Sequence, residues 1–314
     1  MSFNGYPIFD FHTHFPTLKL DDWNAVQDAE YVSRFGKHKL EHLKNLEWEA
    51  SSARWKQCHM EYPVYNQKDD EEVMRLWEAD RQTKDIEKIV FVTGGGNMHL
   101  SKIIKDYPAF LALAHHHPEE PNAAETLRTA VTELGMVGYK ILAPTVKKPI
   151  NDPSFYPLWE VAEQLKIPVL IHFGIFGGGA GVVGKQNCNP FLLEDVAKGF
   201  PFVDFIIPHF GAGYMRELLL LGWACKNIHV DLSGSNQWIK WMPFPTSKRE
   251  VLGRFIDTFG VDRLIYGSDS SFLPRGYVMA YLEEWMRICE ELGLSREDIF
   301  KLFYGNAERL LLRN

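Results

Sequence analysis

His12 and His14 stand two residues apart in the run Ile8-Phe9-Asp10-Phe11-His12-Thr13-His14, and that spacing could serve a metal. Ile8 to Phe11 read as a short apolar strand, in which residues i and i+2 share a side, so both imidazoles leave the strand end facing one way. Two ligands are an incomplete set, and a lone histidine at a strand end is more often simply hydrogen bonded. Further ligands are needed, and the chain offers them.

Three other strand-like runs end in the same manner: Pro168 to Ile171 before His172, Phe205 to Pro208 before His209, and Arg263 to Gly267 before Asp269. Each places one polar group, beside a Gly or Ser, where an apolar strand emerges. On a parallel barrel every strand delivers its C-terminal end to one face, so His12, His14, His172, His209 and Asp269 would converge there. Three imidazoles and a carboxylate can hold a divalent ion such as zinc and leave a position open for water.

The elements that must position these groups are legible as alternating patterns. Short β-branched or aromatic runs occur at 8–12, 88–93, 110–115, 137–142, 168–173, 204–209, 228–232 and 263–267. Helical periodicity lies between most of them, at 71–86, 122–134, 154–165, 190–198, 214–226 and 248–259. Nearly continuous apolar strands with intervening helices predict an α/β fold with a parallel sheet, and eight such units close into a (β/α)8 barrel. A doubly wound sheet is the competitor, but its first strand usually leads into a dinucleotide glycine motif, and here it leads into His12 and His14. Residues 277–292 and 295–312 read as two closing helices, the second opened by a capping-box-like Ser295-Arg296-Glu297-Asp298.

Two connections are unusual. Phe15 to about Asp85 far exceeds a normal βα unit and carries Trp23, Tyr31, Phe35, Trp48, Trp55, Tyr62, Tyr65 and Trp77. Its first part is expected to be a lid or an oligomer contact. The loop after the seventh strand, Ser233 to Trp241, could wall a substrate pocket with its indoles or merely cover the barrel end.

Composition bounds the function classes. The 314 residues, 46% apolar, 13% aromatic and 24% charged, suit a globular protein with a substantial core. A net charge of −7 without a Lys/Arg-rich block argues against nucleic acid as a partner and leaves small molecules. Cys58, Cys188, Cys225 and Cys289 are widely spaced and read as reduced thiols. No signal-peptide pattern or membrane-length apolar stretch is evident, so a cytoplasmic location away from membranes is expected.

The chain resembles the amidohydrolase superfamily, in particular the amidohydrolase-related group that includes aminocarboxymuconate-semialdehyde decarboxylase-like enzymes. The resemblance lies in Phe9-Asp10-Phe11-His12-Thr13-His14, Val169-Leu170-Ile171-His172-Phe173-Gly174, Pro208-His209-Phe210-Gly211, Val230-Asp231-Leu232-Ser233, Gly267-Ser268-Asp269 and Gly305-Asn306-Ala307-Glu308-Arg309-Leu310-Leu311. It implies a distorted (β/α)8 TIM barrel, a single domain over 1–314 with a long helical insertion at about 15–65 after strand one. It further implies one divalent metal, zinc before manganese or iron, ligated by His12, His14, His172 and Asp269, with His209 beside it as acid/base or polarising group. Homo-oligomerisation is a family expectation.

The expected activity is hydrolysis of a C–N or C–O bond in a small cyclic or carboxylated metabolite by metal-activated water, with Asp269 as base. The alternative is non-oxidative decarboxylation of an aromatic or muconate-like acid at the same site. A metal-binding scaffold without catalysis is disfavoured, because an open coordination position with an adjacent acid/base exceeds what storage requires.

Other residues invite sharper readings. Lys140 is expected to bind a substrate carboxylate; the rivals are a carboxylated lysine bridging two metals and a lysine outside the site. Arg275 and Trp238 complete the expected substrate contacts, with Arg216 a weaker candidate. Of His115, His116 and His117, at most the first and third share a direction, which argues against a second metal site. Gly179 to Lys185 nearly spells a phosphate loop, but Gln186 stands where Ser or Thr should bind magnesium, so it reads as a loop beside His172. Asp10 is expected to orient the site, and Asp231 to support a ligand from behind.

Overall fold

The structure, a computed structural model, describes residues 3–17, 23–57, 69–174, 186–234, 236–271 and 278–312. Strands β1 (Phe9–His14), β2 (Lys88–Thr93) and β3 (Phe110–Ala112) form one parallel sheet in that order. Strands β4 (Tyr139–Leu142), β5 (Val169–His172), β6 (Phe205–Pro208), β7 (Ile228–Asp231) and β8 (Leu264–Ile265) form a second.

Both seams between the sheets are bridged. Val137 N donates to Ala112 O (2.9 Å), Ala114 N to Gly138 O (2.9 Å) and Lys140 N to Ala114 O (2.7 Å), joining β3 to β4. Phe11 N donates to Tyr266 O (3.1 Å), Asp269 N to His12 O (2.8 Å) and His14 N to Ser270 O (2.8 Å), joining β8 to β1. The chain is thus an α/β protein with a distorted (β/α)8 barrel, as its alternating pattern predicts. Its two sheets meet through bridges and not through full ladders.

Alternation sorts the strand residues into two cores. Phe9, Phe11, Val90, Val92, Leu113, Leu170, Ile206 and Ile265 fill the barrel interior. Ile89, Phe91, Tyr139, Ile141, Ile171, Ile207 and Val230 face outward into the layer of helices. Burial on both faces explains why the strands read as apolar runs without a polar side.

The outer layer begins with α1 (Trp23–Phe35) and α2 (Lys37–Gln57), which lie within the expected insertion, and α3 (Asp70–Thr83), which returns the chain to β2. Trp77 of α3 packs edge-on against Phe91, ring centroids 5.3 Å apart, so this aromatic belongs to the core. The helix α4 (Asn97–Ile104) was not legible as a pattern, being only eight residues long after three glycines. The layer continues with α5 (Ala123–Thr132), α6 (Tyr156–Leu165), α7 (Glu194–Gly199), α8 (Met215–Ala224), α9 (Lys248–Phe259) and α10 (Met279–Glu291).

The last segment, expected as one helix over 295–312, is divided into α11 (Arg296–Phe300), a π turn (Lys301–Gly305) and α12 (Asn306–Leu311). The wider turn leaves the Leu302 carbonyl to accept from Tyr266 N, just after β8, at 2.9 Å. Asn306 then donates its amide to Val261 O and Leu264 O, both at 2.8 Å. With β8 tied at both ends, Tyr304, Ala307, Leu310 and Leu311 close the barrel floor. Cys188, Cys225 and Cys289 are buried and form no disulfide among the described residues, whereas Cys58 lies outside them. No described helix is long and apolar enough to cross a membrane.

Candidate metal centre

The first strand reaches the site through a bulge. Its register pairs Asp10 with Ile89 and Thr13 with Phe91, three residues against two, so β1 carries one extra residue there. Phe11 and His12 therefore both turn inward: Phe11 joins the interior cluster, and the His12 ring meets Asp231. Thr13 Oγ1 donates to Val90 O (2.7 Å), knitting the irregular stretch to β2. Asp10 turns the other way and accepts from the backbone N–H of Ser268 (2.9 Å) and His12 (3.1 Å) and from the Ser268 hydroxyl. Burial pushes its carboxyl up to about 7 despite those bonds. It fixes β1 against the Gly267-Ser268-Asp269 turn.

His12 Nδ1 lies 2.6 Å from Asp231 Oδ2, and Asp231 Oδ1 accepts from Ser233 N at 2.7 Å. Burial alone would raise the Asp231 carboxyl, but the His12 charge and hydrogen bond hold it below its ordinary value. An ionised carboxylate only accepts, so Nδ1 of His12 carries the hydrogen and Nε2 presents its lone pair. That Nε2 is buried and has no hydrogen-bond partner among the described residues; Asp269 Oδ1 stands 3.8 Å away. Burial lowers the His12 pKa to about 4, against the pull of Asp231, so the ring is neutral near pH 7.

His14 Nδ1 contacts Thr93 Oγ1 at 2.6 Å, and its Nε2 lies 3.1 Å from Asp269 Oδ1. Two donors each about 2.1 Å from a tetrahedral ion stand roughly 3.4 Å apart. The two distances from Asp269 to His14 and His12, 3.1 and 3.8 Å, bracket that value. Burial would raise Asp269, yet its bond to His14 and the charges of His209, His12 and His14 hold it well below the carboxylate range. One donor atom each from His12, His209 and Asp269 lie within 4.8 Å of one another.

His209 donates from Nδ1 to Ser233 O (2.9 Å), and Ser233 Oγ lies 3.0 Å from the same nitrogen. A carbonyl accepts only, so the neutral ring offers Nε2 as lone pair. His172, the last residue of β5, is buried with its ring edge-on to His209, centroids 5.1 Å apart. Burial, then the charges of His209 and Lys140, depress its pKa well below the ordinary value. Neutral imidazoles beside an ionised carboxylate are what a divalent ion requires.

His209 (φ 57°) and Asp269 (φ 57°) both adopt left-handed backbone, as do Phe210 and Ala212. Side chains rarely tolerate this conformation, and the strain it stores is common where a group must be aimed at a reaction centre. Gly234 follows Ser233, and a Cβ there would lie 3.1 Å from His209 Nδ1 and 3.2 Å from Asp269 Oδ2.

All five strand-end residues therefore meet. Lys140 faces the interior from β4, 2% exposed, and burial draws its pKa down to about 8 against the attraction of Asp231 and Asp269. Trp238 is buried in the loop after β7 against Phe210, its N–H donated to Asn236 Oδ1 at 3.1 Å. Arg275 and the loop Gly179 to Lys185 lie outside the described residues.

His115 accepts from Gly94 N and Gly96 N and is bonded at Nδ1 to Leu113 O, which commits both nitrogens to the loop after β2. His116 is likewise spent on Ala123 O and Asn97. Ser233 was missed as a functional residue. Its signal is its place two residues past Asp231, where its N–H, hydroxyl and carbonyl serve Asp231, His12 and His209 together.

A family model described as Amidohydrolase matches residues 9–313. The 2-keto-4-carboxy-3-hexenedioate hydratase of Sphingobium sp. is 22% identical over 242 residues, 69% of this chain and 70% of that protein. Protein fluG of Emericella nidulans is 24% identical over 142 residues, 42% of this chain but only 15% of that longer protein. Among solved structures, 5-carboxyvanillate decarboxylase from Novosphingobium aromaticivorans, with bound manganese, superposes with a TM-score of 0.62 at 15% identity, covering 98% of each chain.

Proposed function

The chain belongs to the amidohydrolase family, and from that premise we propose that it is a metal-dependent hydrolase acting on a C–N or C–O bond of a small cyclic or carboxylated metabolite. The observation that carries this reading is the buried His12 Nε2, a lone pair turned toward Asp269 with no hydrogen-bond partner among the described residues. One divalent ion held by His12, His14, His172 and Asp269 would satisfy it, and these nitrogen and oxygen donors suit zinc first, manganese or iron next. When bound, such an ion supplies Lewis-acid activation of water and polarises a substrate carbonyl or carboxyl.

The remaining work falls to side chains. Asp269 is ionised, and its Oδ2 is clear of the His14 contact, so it can take a proton from water and return it to the leaving group. His209, held at Nδ1 by Ser233, acts at Nε2: as a base when neutral, and as a donor to a developing oxyanion when protonated.

The second reading is non-oxidative decarboxylation of an aromatic or muconate-like acid, favoured by the likeness to 5-carboxyvanillate decarboxylase along the whole chain. There the proton for the carbon that loses carbon dioxide would come from protonated His209, or from Asp269 after it has taken one from a substrate hydroxyl or from water.

The test is metal content by mass spectrometry on protein purified without added metal or chelator. About one ion per chain, lost in His12→Ala and kept in His209→Asn with turnover abolished, is expected; a metal-free wild type would sink the reading. Carbon dioxide release from hydroxybenzoates, set against proton release from lactones and ring opening of cyclic amides followed by mass spectrometry, separates the two chemistries.

A further inference from the structure

Lys140 pairs with Leu170 across β4 and β5, and its neighbours Tyr139 and Ile141 face the helices while it faces the barrel interior. Only 2% of it is exposed. Among the described residues no hydrogen bond or ion pair reaches its ammonium; the charges acting on it are the more distant Asp231 and Asp269.

Both carboxylates are committed elsewhere, Asp231 to His12 and Ser233, Asp269 to His14. Arg81, the other buried Lys or Arg among the described residues, illustrates the usual solution: its guanidinium is bonded to Glu78 and to the carbonyls of Ile86 and Glu87. A buried ammonium without such partners is costly to fold around, and it persists where a ligand answers it.

His172 pairs with Leu142, two residues beyond Lys140 on β4. Two strand residues span about 6.6 Å, which an extended lysine side chain can cross toward the His172 ring. The electrostatic influence of Lys140 on both His172 and His12 agrees with that reach. With a divalent ion in place, three positive charges there would face two negative ones.

We infer that Lys140 anchors a second anionic group of the substrate, so that the site selects small acids with two carboxylates, one at the Lys140 ammonium and one at the His12–His14–His172–Asp269 centre. The place of the second group rests on the metal-enzyme reading; the anchor itself rests on β4.

The test compares wild type, Lys140→Met and Lys140→Gln, each with metal content measured, by calorimetric titration with isophthalate and benzoate. Wild type should bind isophthalate about tenfold or more tightly than benzoate, the size of one charged contact. Both variants should lose that margin while keeping benzoate affinity and metal content.

An equal margin in the variants overturns the inference, as does a wild type without the margin. Two ions per wild-type chain, one of them lost in Lys140→Met, would make Lys140 a metal ligand and overturn it as well. A metal-free wild type that still prefers isophthalate through Lys140 would sink the metal reading and leave the anchor standing.

Discussion

His12 Nδ1 and Asp231 Oδ2 stand 2.6 Å apart, a contact that crosses the barrel from the first strand to the seventh and turns the opposite ring nitrogen into the site. A carboxylate behind a ligating histidine fixes both tautomer and ring orientation and raises the ring's basicity. Asp231→Ala should therefore weaken zinc affinity roughly 10- to 100-fold, measured by chelator competition, with the circular dichroism spectrum retained. Unchanged affinity would show that the bulge alone aims His12.

Gly267 supplies the space that His12 occupies. A Cβ on residue 267 would stand 2.7 Å from His12 Cβ and 3.0 Å from Ser233 Cβ, closer than carbon atoms tolerate. Gly267→Ala should displace the His12 ring, lower stability by about 1–3 kcal/mol and reduce metal affinity with it. A variant that loses stability but binds metal as tightly as wild type would place the strain elsewhere.

The groups at the strand ends were legible because the barrel leaves each apolar run one exit, and His172, His209 and Asp269 each sit at such an exit. The inward turn of both Phe11 and His12 was not, because it depends on a bulge whose register is set by β2 and by Thr13, and strict alternation would have put the two residues on opposite faces. The division of the last helix escaped for a similar reason. Its π turn presents the Leu302 carbonyl to Tyr266 N, a contact that arises only once β8 is in place.

Asn306 is the fastening of that last segment. Its amide satisfies the carbonyls of Val261 and Leu264 on either side of the entry to β8, while it is itself buried. Asn306→Ala strips both bonds; Val261 O keeps its bond from Leu264 N, so the loss falls on the Leu264 carbonyl and costs about 1–3 kcal/mol. The melting temperature should fall by several degrees, and because Asp269 follows four residues after β8, metal affinity should fall too. A stability loss below about 1 kcal/mol would mean that water replaces the amide.

Stability should also fall on acidification, in part through a histidine outside the proposed metal centre. His229 lies two residues before Asp231 on β7, with Nε2 2.7 Å from Asp204 Oδ1 and Nδ1 buried without a hydrogen-bond partner among the described residues. Burial depresses its pKa below 6.5, and although Asp204 favours the charged ring, Arg309 and Arg263 oppose it. The folded chain thus holds His229 neutral at a pH where the unfolded chain protonates it. Its stabilising contribution is complete above about pH 6.5 and declines as pH falls toward the lower folded value, since the unfolded state then binds more protons. Each proton so bound steepens the loss by about 1.4 kcal/mol per pH unit. Urea midpoints between pH 8 and pH 5 should therefore drop more steeply for wild type than for His229→Gln, whose amide cannot titrate. Parallel curves would mean that Asp204 keeps the imidazolium as stable inside the barrel as in water.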